Sequence, residues 1–323
     1  MKVDVSIIIC TYNRCESLKI ALESLLKQEA DDRLSWKVLV VDNNSNDQTK
    51  NVVEGFMARF DGRLEYFFEP QRGIGHARNR GVREALGEII AFTDDDCLVD
   101  KNWVSNLYST FKEYNADAIG GKILPIYPPV VPAWVKENIQ LLCGAIVFHD
   151  YGEDIKIYKK PMVEPVGANM AFKSKVFKEC GYFRSDLGVG QGTMGEDTEF
   201  LGRLLHQHKN IYYCGKALIS HPVEDGRMTL KYIAQWNINL GKYRFMIDDQ
   251  GKIDPRMVYC FGIPRYLIRQ ILKDSLCALC FLFDKKNFLP YWISLSINWG
   301  RAIAMRRIYL LSNTKLLKTR SGV

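Results

Sequence analysis

Val5-Ser6-Ile7-Ile8-Ile9 runs without a break into Cys10-Thr11-Tyr12-Asn13-Arg14. A run this short, apolar and β-branched reads as a strand buried on both faces, and Cys10 within it as a small hydrophobe. Downstream, Leu18, Ala21, Leu22, Leu25 and Leu26 recur at helical spacing. Residues 37–41 read as a second buried strand, Val52, Val53, Phe56, Met57 and Phe60 as a helix, and residues 64–68 as a third strand. A glycine-rich turn then leads into a helix around 77–86 and a strand at 88–93. Strands alternating with helices at this spacing predict an α/β fold built on a parallel sheet.

After about residue 120 the rhythm breaks. Pro125, Pro128, Pro129 and Pro132 predict a loop-rich stretch. Residues 167–173 read as a further strand, Phe200, Leu201, Leu204 and Leu205 as one more amphipathic helix, and 211–213 and 218–219 as two closing strands. From about residue 228 the chain is helical by pattern.

Composition narrows the class. With 47% hydrophobic and 25% charged residues, the 323-residue chain is globular, which excludes disordered, collagen-like and coiled-coil proteins. The net charge of +7 is uneven: residues 251–323 carry 13 Lys/Arg against 3 Asp/Glu, and residues 1–250 carry 31 against 34. A slightly acidic body argues against nucleic acid as a partner. A basic tail in which Trp292, Trp299, Tyr266 and Leu267 mix with Arg265, Arg269, Arg301, Arg306 and Arg307 has the composition of an interfacial helix, and an anionic membrane surface is its expected partner. Packing back on the core as an ordinary helical subdomain is the other reading. The longest charge-free stretches near the C-terminus, 275–283 and 287–300, fall short of a bilayer span, and the second contains Pro290. Nine scattered cysteines and a first strand with no leader-type apolar segment before it fit a reducing, cytoplasmic setting, peripheral on the inner membrane face.

In open α/β sheets ligands bind beyond the carboxyl ends of the strands. Thr11-Tyr12-Asn13-Arg14 follows the first strand, Asp42-Asn43-Asn44-Ser45 the second, and Asp94-Asp95-Asp96 the strand at 88–93. Each alone reads equally as a turn or helix cap; together they converge on one sheet edge. Three adjacent carboxylates repel one another unless a cation neutralises them. A hard divalent ion, completed by phosphate oxygens, removes that cost. A solvated acidic turn is the alternative, and the apolar strand feeding into it counts against that.

Four further stretches complete a pattern: Gly73-Ile74-Gly75-His76-Ala77-Arg78-Asn79-Arg80-Gly81, Phe92-Thr93-Asp94-Asp95-Asp96, Gly195-Glu196-Asp197-Thr198-Glu199-Phe200, and a strand ending at His221. With Ser6 to Arg14 and Val40-Val41-Asp42-Asn43-Asn44-Ser45, their order and spacing over about residues 3–225 resemble a family 2 glycosyltransferase of GT-A fold. The family's usual residue at the second place of the strand-two turn is Asp; here it is Asn43. The resemblance implies a mixed, mostly parallel sheet with a Rossmann-like nucleotide-sugar half at about 1–120, an acceptor half at about 121–225, and a helical tail over 226–323. Acceptor pockets would be built from 125–165 and 184–195.

The resemblance also implies roles. A nucleotide-sugar, most often a UDP-sugar, would be held by Thr11, Tyr12, Arg14, Asp42, Arg78, Asp94 and Asp95, with Gly167 at the turn beside the donor sugar. Tyr12 would stack on the base, Asp42 would accept from base or ribose, and Arg78 would lie near the phosphates. Asp96 and His221 would hold the divalent metal, Mn2+ or Mg2+; imidazole with carboxylate suits Mn2+. Asp197 would take the proton of an acceptor hydroxyl, with Glu196 orienting it or binding acceptor. On residue type alone, Tyr12 reads also as a packed core residue, Asp42 as a cap, Arg78 as a surface arginine, His221 as structural and Gly167 as a plain turn glycine. Glu196 and Asp197 read also as first-turn acids complementing a helix dipole. The expected reaction is inverting transfer to a hydroxyl of a glycan or lipid-linked acceptor in surface polysaccharide synthesis. A nucleotidyltransferase of similar fold, or a silent scaffold member, is the alternative; intact Asp96 and Asp197 argue against the scaffold.

Overall fold

The computed structural model describes residues 2–159, 162, 165–191, 194–247 and 250–320, the side chains of 313–320 excepted. The chain divides into two compact units, Met1–Tyr127 with Val147–Pro222, and Pro128–Ile146 with Val223–Val323. Residues 128–146, read from sequence as part of the 1–225 domain, thus belong with the C-terminal residues.

The first unit opens as β1 (Val5–Thr11), α1 (Cys15–Leu26), β2 (Trp36–Asp42), α2 (Thr49–Met57), β3 (Leu64–Phe68), α3 (Ile74–Glu84) and β4 (Ile89–Asp94). It continues with β5 (Leu98–Val99), α4 (Trp103–Tyr114) and β6 (Ala118–Ile126). Two short helices of the second unit intervene, α5 (Ala133–Glu137) and α6 (Cys143–Ile146). The first unit then closes with β7 (Ile155–Ile157), β8 (Asn169–Lys173), α7 (Lys175–Cys180), α8 (Glu196–His206) and β9 (Ile211–Pro222).

One sheet holds all these strands in the order β3-β2-β1-β4-β8-β6-β9-β5, with β7 added on β9. The first four are mutually parallel, β8 runs antiparallel between β4 and β6, and β6 and β9 pair in parallel. Side-chain alternation explains why the strands are continuously apolar. Ile7, Ile9, Val38, Val40 and Ala91 join the core on one face, and Ile8, Leu39, Val41, Ile90 and Phe92 join that on the other.

Two expectations are corrected. Residues 118–126 form a nine-residue strand, β6, where prolines predicted loop. Pro125 is tolerated because β8 pairs only as far as Gly120, so beyond it the regular ladder lies on the β9 side. The two closing strands are one, β9, running through Gly215-Lys216 as an irregularity opposite Gly121/Lys122. At Gly215 the backbone of Gly152 and Glu153 passes where a Cβ would stand, so only glycine fits.

The second unit is helical: α9 (Leu230–Ile247), a two-strand ribbon of β10 (Tyr259–Cys260) and β11 (Ile263–Pro264), α10 (Arg265–Cys280) and α11 (Lys285–Arg320). Helices α9 and α11 meet backbone to backbone. A Cβ at Gly241 would overlap the Ile297 carbonyl oxygen, and one at Gly300 that of Ile238. Between α10 and α11 the buried Asp274 carboxylate accepts from Gln270 (2.9 Å), Ser294 (2.7 Å) and Asn298 (3.1 Å). No helix among the described residues is long and apolar enough to cross a membrane.

Candidate active site

Strand register brings the polar clusters together. Thr11 lies opposite Asp42, and Cys10 opposite Asp94, so β1, β2 and β4 end at one level. Asp42 is buried and fixes its own turn: Oδ1 accepts from the Ser45 N–H (2.8 Å) and Oδ2 from the Tyr66 hydroxyl (2.7 Å). The Thr11 carbonyl accepts from the Asn43 N–H at 2.8 Å. Asn43 ties the following turn with both halves of its amide. Its Nδ2 donates to the Gln71 carbonyl (2.7 Å), and its Oδ1 accepts from the Gly73 N–H (2.8 Å). The Arg72 guanidinium lies 3.9 Å from the centre of the Tyr12 ring, so one aromatic face already carries a planar cation.

After β4 the chain turns, and β5 pairs with β9 so that Leu98 faces Ser220. That pairing delivers His221, 125 residues downstream in sequence, to Asp96. Ligand-type atoms of Asp94, Asp96, Cys97 and His221 lie within 4.8 Å of one another. His221 Nδ1 faces the Pro222 carbonyl oxygen at 2.8 Å. A carbonyl only accepts, so Nδ1 carries a proton, which leaves Nε2, 3.6 Å from Asp96 Oδ1, as the ring's metal-facing nitrogen. Carboxylates plus an oriented imidazole are the donor types that Mn2+ accepts, so these residues fit a divalent cation. Arg14 supplies positive charge here, with Nη1 3.1 Å from Asp95 Oδ1 and Nη2 2.9 Å from Asp96 Oδ2.

A second cluster adjoins the first. Arg78 on α3 is buried and ion-paired with the buried Glu196 at the start of α8, which removes the surface-arginine reading. Gly167, just before β8, donates its N–H to Asp197 Oδ2 at 2.9 Å. A Cβ at Gly167 would overlap Arg78 Nη2 and stand 3.0 Å from Asp197 Oδ2, so the turn is glycine because both side chains press on it. Asp197 Oδ1 accepts from the Thr198 N–H at 2.8 Å. Asp197 is half-buried while Glu196 is fully covered. Asp94 feels Arg78, Asp96, His221 and Asp197, so the two clusters form one electrostatic site.

The description "Glycosyl transferase family 2" matches residues 6–181. The chain belongs to this family. The glycosyltransferase AglE of Haloferax volcanii is 34% identical over 308 residues, covering 92% of this chain and 94% of its own. The succinoglycan biosynthesis protein ExoM of Rhizobium meliloti is 26% identical over 235 residues, 72% of each chain. Among solved structures, the mannosyltransferase PcManGT from Pyrobaculum calidifontis in complex with GDP-Man and Mn2+ aligns with a TM-score of 0.57 at 17% identity, over 100% of this chain and 80% of that one. That likeness is one of fold, the GT-A fold. The protein is thus a glycosyltransferase of glycan biosynthesis.

Burial dominates the charges of this cluster in the glycosyltransferase. It pushes the Asp95 carboxyl up to about 7, against the pull of Arg14, and the Glu196 carboxyl up to about 7, against that of Arg78. Asp94 is raised too, by burial first, with Arg78 opposing and Asp96 adding to it. An acid whose pKa is higher in the fold than in the unfolded chain binds more protons when folded at pH values between the two. Stability therefore grows as pH falls through that window, here from about 7 to about 4. With EDTA present, the melting temperature of the glycosyltransferase minus that of its Asp95→Asn variant is expected to rise on acidification across this range. A flat difference would show Asp95 ionised throughout.

Three contributors escape a reading of the sequence. Cys97 was signalled only by its place next to Asp96. Arg72 lies in the turn before the glycine-rich helix and carried no pattern of its own. Asn43 was visible as a departure from the family, yet its double hydrogen bond was not. Of the stretches expected to build acceptor pockets, residues 160, 161, 163, 164, 192 and 193 lie outside the described residues.

Proposed function

We propose that the chain is an inverting transferase that moves a sugar from a nucleoside diphosphate sugar, UDP-linked, to a hydroxyl of a glycan or lipid-linked acceptor. The observation that carries this is the adjacency of the Asp94–Asp96–His221 donor set to Asp197 at the Gly167 turn. Asp94, Asp96 and His221 would hold a divalent cation, and that cation, when bound, supplies positive charge to the departing diphosphate. Tyr12 offers a ring face to the base, and Asp42, both oxygens of which keep a second lone pair, accepts from base or ribose. Asp197 is the base. Each of its oxygens accepts one backbone N–H, which fixes the carboxylate and leaves lone pairs for an acceptor hydroxyl. Glu196 is engaged by Arg78 and serves to hold that arginine under the site. Attack by the deprotonated hydroxyl on the face opposite the diphosphate inverts the anomeric carbon without a covalent sugar intermediate. A nucleotidyltransferase would release pyrophosphate, whereas this reading releases a nucleoside diphosphate.

A thermal-shift series with UDP-sugars and GDP-mannose, with and without Mn2+, tests the reading. A ligand held 100-fold above its Kd adds about 2.7 kcal/mol to the folded state, and the largest shift is expected for a UDP-sugar together with Mn2+. A larger shift with GDP-mannose would reassign the base, and no shift with any donor would remove the reading.

The exposed apolar and basic residues of the helical unit support a membrane surface as partner, its cytoplasmic side in this proposal. Leu272, Leu276, Leu279 and Phe283 form an exposed row at successive turns of α10 and its C-terminal end, and Arg265, Arg269 and Lys273 are exposed on the same helix. On α11, Trp299, Ile303, Arg306, Arg307 and Leu310 with Ile263 line a groove of about 370 Å3. Apolar rows bordered by arginine suit an anionic lipid surface. The chain is expected to co-sediment with phosphatidylglycerol vesicles, less with phosphatidylcholine, and Leu276→Asp with Leu279→Asp should release it. Full recovery of the intact chain in the supernatant at low salt would contradict this.

A further inference from the structure

The cation cluster contains a donor that a hard ion does not use. Cys97 is fully buried and belongs to the apolar core on one side of the sheet. Its Sγ nevertheless approaches Asp96 Oδ1 to 3.9 Å. With Asp94, Asp96 and His221 it completes four ligand atoms within 4.8 Å of one another: two carboxylate oxygens, one imidazole nitrogen and one sulfur. Mg2+ and Mn2+ prefer oxygen and imidazole and leave a thiol aside. Zn2+ and Cd2+ favour thiolate, and four protein donors close a tetrahedral shell. A site with three protein donors keeps a place for a diphosphate oxygen; a site with four does not.

We propose that the same cluster doubles as an inhibitory site for thiophilic divalent ions. The inference rests on the cluster being the donor's cation site. Zn2+ or Cd2+ binds Asp94, Asp96, His221 and Cys97 together, the Cys97 S–H proton passing to solvent as the sulfur–metal bond forms. The closed shell excludes the nucleotide diphosphate and competes with Mn2+. The Arg14 guanidinium holds Asp96 Oδ2, whereas Cys97 and His221 approach Oδ1, so Arg14 meets both kinds of ion alike and Cys97 alone separates them.

The full-length chain, stripped of metal, is titrated with Co2+ as an optical stand-in for Zn2+, and separately with Mn2+ followed by electron paramagnetic resonance. The expected result is a thiolate-to-cobalt charge-transfer band that Zn2+ abolishes. In Cys97→Ser, which keeps the volume, and in Cys97→Ala, which keeps the position apolar, the band disappears and Zn2+ affinity falls about tenfold or more. Mn2+ affinity falls far less. Mn2+ binding together with Co2+ binding that lacks the thiolate band overturns the proposal and leaves the donor-cation reading standing. Zn2+ affinity unchanged in both variants also overturns it. Failure of Mn2+ and Co2+ alike to bind defeats both readings.

Discussion

Asp197→Asn is expected to keep donor affinity and lose transfer by about 10²–10⁴-fold, the span assigned to a positioned general base. The argument is geometric. Asp197 sits at the start of α8 with one oxygen held by the Gly167 N–H and the other by the Thr198 N–H. An amide of the same shape has one acceptor oxygen, so its NH2 must face one of those two donors. That costs on the order of 1 kcal/mol of stability, small enough for the variant to fold. What it removes altogether is the capacity to take a proton. Isothermal titration with the donor nucleotide and single-turnover transfer, measured on one preparation, separate the two effects. Turnover near that of the parent would take Asp197 out of the role, and a parallel loss of donor binding would make it a donor residue instead.

Arg78→Met is expected to destabilise the chain by about 3–5 kcal/mol, the range for removing one partner of a buried ion pair. Both partners are nearly inaccessible, at 5% and 6% exposure. Glu196 would be left in a site whose burial already drives its carboxyl toward the neutral form, with the Asp94 and Asp197 carboxylates nearby and no counter-charge. Replacing both members, Arg78→Met with Glu196→Leu, should recover most of the stability and none of the transfer, because an apolar pair needs no solvation but cannot hold the site's charge. Denaturant midpoints for the single and double variants test this. A single variant within 1 kcal/mol of the parent would mean that water reaches the pair.

The parts of the fold legible in the sequence are those set by local pattern. The apolar runs of β1, β2 and β4 betray burial on both faces, and the polar residues that stop them must face solvent or ligand. Asp42, Asp94 and Asp96 were readable for that reason. What was not readable depends on partners far along the chain. Pro125 looks like a strand breaker until the one-sided ladder of β6 is known. Residues 128–146 carry no pattern that assigns them to the helical unit. Nothing in the sequence signals that Arg14 stands against Asp95 and Asp96, and Arg78 looks like a surface residue until α8 brings Glu196 to it.

Asn43 has one more consequence. Its amide gives a hydrogen to the Gln71 carbonyl while receiving one from Gly73. The acid usual in the family at this place could perform only the receiving half, and would set a negative charge against a carbonyl oxygen. Position 43 and the 69–73 turn are therefore a matched set. Exchanging this segment with a relative's should succeed when both pieces move together and fail when either moves by itself.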